Sequence, residues 1–191
     1  MTTTSDDRRV EDTLAEEWVA VGTKVRLRHK RLEDARSDYA WRRDETLARY
    51  DAARPLAQSY EDFLKHFREE LSNPHPFRRS FAVEAHSDDA SEASVHIGNV
   101  MYYNIDLSRH EAELGVTIGE PAYWGHGYGT EAVSLLVDHV FSTTSLARIY
   151  LHTLDWNVRA QRSFASAGFR DCGRSRRGEY RFHRMELWRP D

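Results

Sequence analysis

Short stretches in which apolar and polar residues alternate recur along the chain, and this period of two predicts β-strands. The first is KVRLRHK, in which Val25 and Leu27 stand between charged side chains. RSFAVEAH, SVHIGNVMYYNI and EAELGVTI follow in close succession, separated by the polar segments SDDASEA and DLSRH. Short polar connections between such strands predict an antiparallel meander. Nearer the C-terminus, ARIYLHTL is predicted as a buried strand, and FRDCGRS with YRFHRMELW as a hairpin.

Other segments repeat their apolar residues at helical spacing. One predicted helix covers 33–50, and the next is YEDFLKHFREEL behind a Ser59 cap. A third covers 130–142, and NVRAQRSFASAGF forms a fourth that Gly168 closes as its C-cap. TLAEEWVA is expected to add a short helix before Gly22. The order β-α-α-β-β-β-α-β-α-β-β indicates an α+β domain over 23–191, preceded by a partly flexible extension over 1–22.

Composition narrows the function classes. The chain has 191 residues and a net charge of −4 from 27 basic and 31 acidic residues, so overall charge gives no attraction to nucleic acid. Cys172, the only cysteine, excludes an intrachain disulfide, is typical of a reducing compartment and is expected to be buried. No apolar run approaches the roughly 20 residues of a membrane span, and the polar N-terminus lacks a signal-peptide core. We therefore expect a cytoplasmic protein.

The segment YWGHGYGTEA, residues 123–132, carries the most specific chemical signal. Its three alternating glycines allow close approach of the backbone to a ligand. A phosphate-binding P-loop would need Lys and Ser or Thr after the glycines, and Lys is absent. GYGTEA fits the dinucleotide pattern G-x-G-x-x-A, with Asp155 as a ribose-binding acid. However, three antiparallel strands precede the loop and only about 60 residues follow it, which leaves no room for a doubly wound sheet.

The loop instead resembles the phosphate loop of GNAT acetyltransferases, Gln/Arg-x-x-Gly-x-Gly/Ala. WGHGYG matches it at Gly127 and Gly129 and has Trp124 in the Gln/Arg position. With tryptophan at this position, the loop resembles those of the branch that includes ribosomal-protein N-terminal acetyltransferases, which commonly read WGxGYxTEA. AELGVTI and RIYLHT resemble the fourth and fifth strands of the family, and NVRAQRSFASAGF its Asn-x-x-Ala/Ser segment. The resemblance extends from about Lys24 to Trp188.

This resemblance implies a GNAT fold, a mixed, mostly antiparallel central sheet flanked by helices and splayed between the family's fourth and fifth strands. It implies acetyl-CoA as co-substrate and no metal. The acceptor would be a primary amine, first an N-terminal α-amine of a protein and second a small-molecule amine. Neither nucleic acid nor membrane is expected as a partner, and a homodimer is possible. The residues implied in cofactor binding are Val116, Thr117, Ile118, His126, Gly127, Tyr128, Gly129, Thr130 and Asn157.

The resemblance implies a role for each group of these residues. The glycine loop and the helix start would hold the pyrophosphate with free amides. The pantetheine arm would pair with the backbone of 116–118, and an amide near Ile118 would stabilise the oxyanion. Asn157 would cap its helix and face the arm.

The attacking amine must lose a proton, and Glu113 is the candidate base, directly or through water. A substrate-orienting or solvated carboxylate is the alternative, and Glu111, on the same face of the strand, is the reserve. Phe164 stands where many members of the family have a tyrosine that protonates the leaving thiolate, so Ser163 or a water would donate. A catalytically weak, CoA-binding regulatory module is therefore the second hypothesis. His152 faces either the core or the substrate.

Overall fold

A computed structural model describes residues 18–86 and 94–190. The strands are β1 (Ala20–Val21), β2 (Val25–His29), β3 (Arg78–Ala85), β4 (Val95–Asp106), β5 (Glu111–Ile118), β6 (Arg148–Leu154), β7 (Arg170–Arg177) and β8 (Tyr180–Trp188). The α-helices are α1 (Ala35–Arg43), α2 (Glu45–Tyr50), α3 (Tyr60–Ser72), α4 (Tyr128–Thr143) and α5 (Val158–Ser166). Single 3-10 turns occupy Leu32–Asp34 and Pro121–Tyr123.

All eight strands belong to one sheet in the order β1-β2-β3-β4-β5-β6-β8-β7. Consecutive strands from β1 to β5 are antiparallel, and for β3, β4 and β5 the sequence predicts this meander. Only β5 and β6 are parallel, because α4 lies between them in the chain and returns it to the same end of the sheet. The predicted mixed, mostly antiparallel sheet is confirmed.

The helix predicted over 33–50 is two helices in the structure. Asp44 adopts an extended conformation (φ −69°, ψ 125°), and its carboxylate accepts a hydrogen bond from the Leu47 amide, which caps α2. Asp is a strong N-cap residue, so the chain gains a second helix start at this position. The break turns α2 away from α1, and Leu47 of α2 reaches the cavity described below.

Two expectations fall on residues that the structure does not describe. The polar loop SDDASEA covers 87–93, and most of the helix expected for TLAEEWVA covers 13–17. The last residue of TLAEEWVA, Ala20, belongs to β1 and pairs with Leu27 of β2. Among the described residues, no helix has the length and apolarity that crossing a membrane requires.

The main core lies between the sheet and α4. Most of the apolar face of α4 is buried against the sheet, as its sequence pattern predicts, and Phe141 at the end of this face is partly buried. The core residues with the largest fully buried side chains are Leu27, Ile97, Leu136, Leu146, Ile149 and Leu151. Cys172 is not part of this core. It is exposed at an irregularity in the pairing of β7 with β8, so the expectation of a buried cysteine is wrong.

Candidate active site

A cavity opens where β5 and β6 part. The parallel pairing joins only Glu111–Glu113 to 148–150, so the C-terminal halves of the two strands diverge. This is the splay that the resemblance to the family implies. The cavity has a volume of about 910 Å³ and is lined by both strands, α2, the glycine loop, the N-terminal part of α5 and the β7–β8 hairpin.

The N-terminus of α4 forms one end of this cavity. Gly127 is the N-cap residue, with a left-handed φ of +88°, and supplies no capping side chain. The amides of Tyr128, Gly129 and Thr130 have no acceptor within the described parts of the chain. Three free amides at the positive end of a 16-residue helix have the chemistry that suits a phosphate group. The residues present therefore fit the pyrophosphate of coenzyme A.

Two contacts from the β1–β2 turn hold the glycine loop. The Lys24 ammonium donates to the His126 carbonyl at 2.9 Å, which places a positive charge beside the loop. The Glu131 carboxylate in the first turn of α4 accepts from the amides of Thr23, Lys24 and Val25 at 2.9, 2.7 and 3.0 Å. A charged hydrogen-bond acceptor shared by three amides fixes the helix start against the sheet.

Trp124, in the position where the family has Gln or Arg, ties the loop to the end of β5. Its indole N–H donates to the Ile118 carbonyl at 2.7 Å, and the Arg159 guanidinium lies 4.1 Å from the ring centroid. The stacking of Arg159 brings a cation from α5 over the loop. Tryptophan at this position therefore orders the backbone of the glycine loop.

The residues implied in cofactor binding are mostly found together around the cavity. Val116, Thr117, Ile118, Gly127, Gly129, Thr130 and Asn157 line it, whereas His126 and Tyr128 are not among its lining residues. Asn157 caps α5 by accepting from the Ala160 amide at 3.2 Å. The hydroxyl groups of Thr130 and Ser163 lie 2.7 Å apart and join α4 to α5.

Glu113 lies at the opposite end of the cavity from the helix start, and it is only 4% exposed. Its Oε1 atom is 2.9 Å from His152 Nδ1, and its Oε2 atom accepts from Asn104 Nδ2 at 3.0 Å. Tyr103 lies close enough for the charge of Glu113 to act on its phenol. Burial first, and then the charge of Glu113, raise the pKa of Tyr103, so this phenol stays protonated.

The two ends of β5 are well separated. Glu113 and Ile118 are five residues apart on one strand, which at about 3.3 Å per residue is about 16 Å. The Glu113 side chain, the acceptor amine and a water would together bridge part of this distance, so the amide near Ile118 stays the predicted oxyanion donor. Gly115 and Val116 line the cavity between the two positions.

Glu111, the reserve candidate, is held elsewhere. Its Oε2 atom lies 2.6 Å from Arg148 Nη1, and it is not among the residues that line the cavity. Arg148 also contacts Glu186 of β8. Glu111 thus belongs to an ion-pair group at the closed end of the strands, while Glu113 faces the cavity.

Asn104 is a site residue that the sequence pattern does not single out. It lies in β4 with φ +51°, where the pairing of β4 with β5 is irregular. This left-handed conformation is uncommon outside glycine, although Asn tolerates it better than most residues. It directs the side-chain amide at Glu113. Phe164, by contrast, is buried and packs against Phe169 at 6.1 Å between ring centroids.

We expect Gly127→Val to weaken acetyl-CoA binding tenfold or more, about 1.4 kcal/mol. A β-branched residue is strained at φ +88° and would disturb the free amides of the helix start. Calorimetric titration with acetyl-CoA measures the change. Gly178→Val is the matched control, because Gly178 also has positive φ (+60°) and an added Cβ there meets nothing within 4 Å. A folded Gly127→Val protein with wild-type affinity would contradict the assignment of the loop.

The comparisons with known proteins agree with this geometry. The family model described as an acetyltransferase (GNAT) domain matches residues 24–170. No curated protein sequence matches the chain. Among the residues that the structure describes, no group of three His, Cys, Asp or Glu side chains is arranged to hold a metal ion.

Several solved structures share the fold at low identity. A spermidine N-acetyltransferase from Vibrio cholerae in complex with CoA and spermine is 22% identical with a TM-score of 0.72, covering 87% of this chain and 96% of that one. An acetyltransferase of the GNAT family from Bacillus anthracis is 15% identical (TM-score 0.71, 88% and 97% covered). An aminoglycoside acetyltransferase in complex with coenzyme A is 19% identical (TM-score 0.68, 86% and 95% covered).

Proposed function

This chain belongs to the GNAT acetyltransferase family, and we propose that it transfers the acetyl group of acetyl-CoA to a primary amine that is not a polycation, with the N-terminal α-amine of a peptide or protein as first choice. The observation that carries the proposal is the buried contact between Glu113 and His152 at the point where β5 and β6 part. Amine acetylation needs a proton acceptor at the reacting end of the acetyl-CoA channel, and this pair supplies one.

The two ends of the cavity fit the two substrates. The helix start of α4 would hold the pyrophosphate, and the arm would follow the unpaired edge of β5 toward Glu113. Free backbone groups along that edge are suited to hydrogen bonds with the amides of the arm. The thioester would then lie near Glu113, with amides of β5 close to it.

The charges around the cavity argue against a polyamine acceptor. Arg177 is the cation that lines its acceptor end beside His152 and Glu113, whereas Arg159 and Arg162 come from α5, on the side of the glycine loop. A polycation needs several carboxylates, whereas this wall suits a neutral or acidic acceptor. Arg177, at the mouth beside His152, is suited to an acceptor carbonyl or carboxylate.

The proton balance favours an α-amine over a lysine side chain. With a pKa of about 8, roughly one α-amine in ten is uncharged at pH 7, against fewer than about one in a thousand for an amine with a pKa of about 10.4. A single buried carboxylate–imidazole pair is therefore sufficient to remove the proton from an α-amine.

A thiol-release assay with a panel of amines tests the proposal. We expect acetyl-CoA cleavage to be at least about tenfold faster with a peptide carrying a free α-amine than with the same peptide N-formylated and carrying one lysine. Spermidine and an aminoglycoside serve as polycationic comparisons. A clear preference for spermidine would overturn the charge argument. Stabilisation by acetyl-CoA without transfer to any amine would instead indicate the regulatory module.

A further inference from the structure

We propose that His152 takes the proton from the attacking amine through its Nε2 atom, and that Glu113 is a positioning residue that orients and polarises the imidazole. The inference rests on the proposed function, since it assigns the proton acceptor of the same reaction. It differs from the expectation that Glu113 itself is the base.

The hydrogen-bonding capacity of Glu113 is largely used within the protein. His152 Nδ1 occupies Oε1 at 2.9 Å, and Asn104 Nδ2 occupies Oε2 at 3.0 Å. The side chain of Glu113 is only 5% exposed. A substrate amine that bound this carboxylate directly would have to displace at least one of these donors. Glu113 is therefore built to hold its neighbours in place.

His152 is placed to act between Glu113 and the substrate. It follows Tyr150, the last residue of β6 that pairs with β5, by two positions, so it lies on the same face and at the start of the splay. Its ring lines the cavity. A carboxylate at 2.9 Å accepts the Nδ1 proton of a neutral imidazole, and this leaves the lone pair on Nε2. Nε2 has no hydrogen-bond partner within the described part of the chain, and the cavity is the space beside it.

Charged and titratable groups approach the ring from every neighbouring strand. Glu113 comes from β5, Arg177 from β7, and Tyr150 from β6 itself, whose ring centroid lies 5.9 Å from that of His152. Arg184 of β8 is the cross-strand partner of His152, and its guanidinium lies 4.8 Å from the Tyr150 ring.

Arg177 of β7 competes with Glu113 for the same ring atom. Its Nη2 atom is 3.4 Å from His152 Nδ1, but a guanidinium only donates and cannot share a protonated Nδ1. The contact with Glu113 is shorter and more buried, so it sets the tautomer with the proton on Nδ1.

The step balances without any further reactant. The amine nitrogen bonds to the thioester carbonyl carbon, the carbon–sulfur bond breaks, and the electron pair leaves on the sulfur of CoA. The proton released by the nitrogen passes to His152 Nε2. The imidazolium, stabilised by the Glu113 carboxylate, then gives this proton to the thiolate or to solvent. Phe164 has no hydroxyl with which to protonate the thiolate. The imidazolium supplies an acid in its place.

His152→Asn is the test variant, because an asparagine amide occupies the place of Nδ1 and keeps a donor to Glu113 while it removes Nε2. We expect kcat with the best α-amine peptide to fall about a hundredfold, with the KM for acetyl-CoA changed less than about threefold. His139→Asn, in a histidine of α4 that packs on Phe81 away from the cavity, should stay within about twofold of wild type.

Two further variants keep the test decisive. His152→Gln provides a second replacement if His152→Asn does not fold, and it should lose a similar factor. The double variant Glu113→Gln/His152→Asn should be no slower than the slower single variant, because the two residues act as one unit. Wild-type kcat in folded His152→Asn or His152→Gln, or multiplicative losses in the double variant, would overturn the role of His152. Such a result would leave the proposed function intact, whereas a wild-type protein that acetylates no amine would refute that function first.

Discussion

We expect Glu113→Gln to lower kcat for amine acetylation about a hundredfold, the scale of general acid–base assistance. A glutamine amide in this place can donate to His152 Nδ1, which would move the ring proton to Nε2 and remove the lone pair from the cavity. Acetyl-CoA binding should change less than about threefold, since the carboxylate is at the far end of the cavity from the phosphate loop. The loss in rate should shrink at high pH, where more of the amine arrives uncharged.

Glu111→Gln is the matched control for this variant. Glu111 is on the same face of β5, but it is paired with Arg148 and does not line the cavity. Its substitution should leave kcat within about threefold of wild type, measured by thiol release with the same peptide. The opposite ranking of the two variants would transfer the role from Glu113 to Glu111.

We expect Arg28→Met to lower the free energy of unfolding by about 3–5 kcal/mol at pH 7, the cost of leaving buried charges without a partner. Arg28 is 4% exposed and forms a two-bond pair with Asp34, with Nη1–Oδ2 and Nη2–Oδ1 distances of 2.8 and 2.7 Å. Its Nε atom also donates to the buried carboxylate of Glu84. Methionine would leave both acids buried without their guanidinium partner, although the Arg31 amide still donates to Asp34, and this loosens the start of α1 from the sheet. Urea unfolding measures the loss.

The pH dependence of this loss follows from Asp34. Burial by itself would raise the pKa of the Asp34 carboxyl, but hydrogen bonds from Arg28 and from the Arg31 amide hold it below its usual value. Asp34 therefore stabilises the wild type above the pKa of the unfolded chain, and this contribution is lost as pH falls through the lowered pKa. In Arg28→Met the carboxyl loses its partner and takes up a proton at higher pH. The difference between the two proteins should thus be smaller at pH 4.5 than at pH 7.

Arg78→Met is the control for the buried ion pairs of Arg28. Arg78 pairs with Glu70 at the surface, where the two side chains are 41% and 48% exposed. An exposed ion pair contributes about 0–1 kcal/mol, so this variant should lose no more than that. Equal losses in Arg28→Met and Arg78→Met would show that the buried charges do not support the fold.

The local pattern of the sequence was sufficient for most of the fold. The alternation in EAELGVTI predicted β5 with its observed ends, and the periodicity of 130–142 predicted α4 within two residues. Each of these signals depends on a backbone period and on burial of one face, which neighbouring residues express by themselves. The break at Asp44 was missed because a single cap competes with a continuing helical pattern, and contacts beyond the local sequence decide between them.

The glycine loop could also be predicted from the sequence, because a glycine by itself indicates that the backbone can take positive φ at that position. Gly125 and Gly127 do take positive φ, at +80° and +88°, and the helix starts directly after them. The Lys24 ammonium that contacts this loop comes from 102 residues earlier in the chain, and no local pattern indicates it. Only the pairing of the β1–β2 turn with α4 brings the two together.

The reacting end of the site was determined by the sequence only in part. Glu113 was named from the resemblance, but its contact with His152 joins residues 39 positions apart. That contact depends on the register of the single parallel strand pair and on the point at which the pair separates. Asn104 reaches the same carboxylate through an irregularity in β4 that alternation does not encode. The sequence by itself thus determined the elements and the phosphate loop, whereas the three-dimensional arrangement decided which side chains surround the carboxylate, because parallel register and strand separation are set by packing between distant segments.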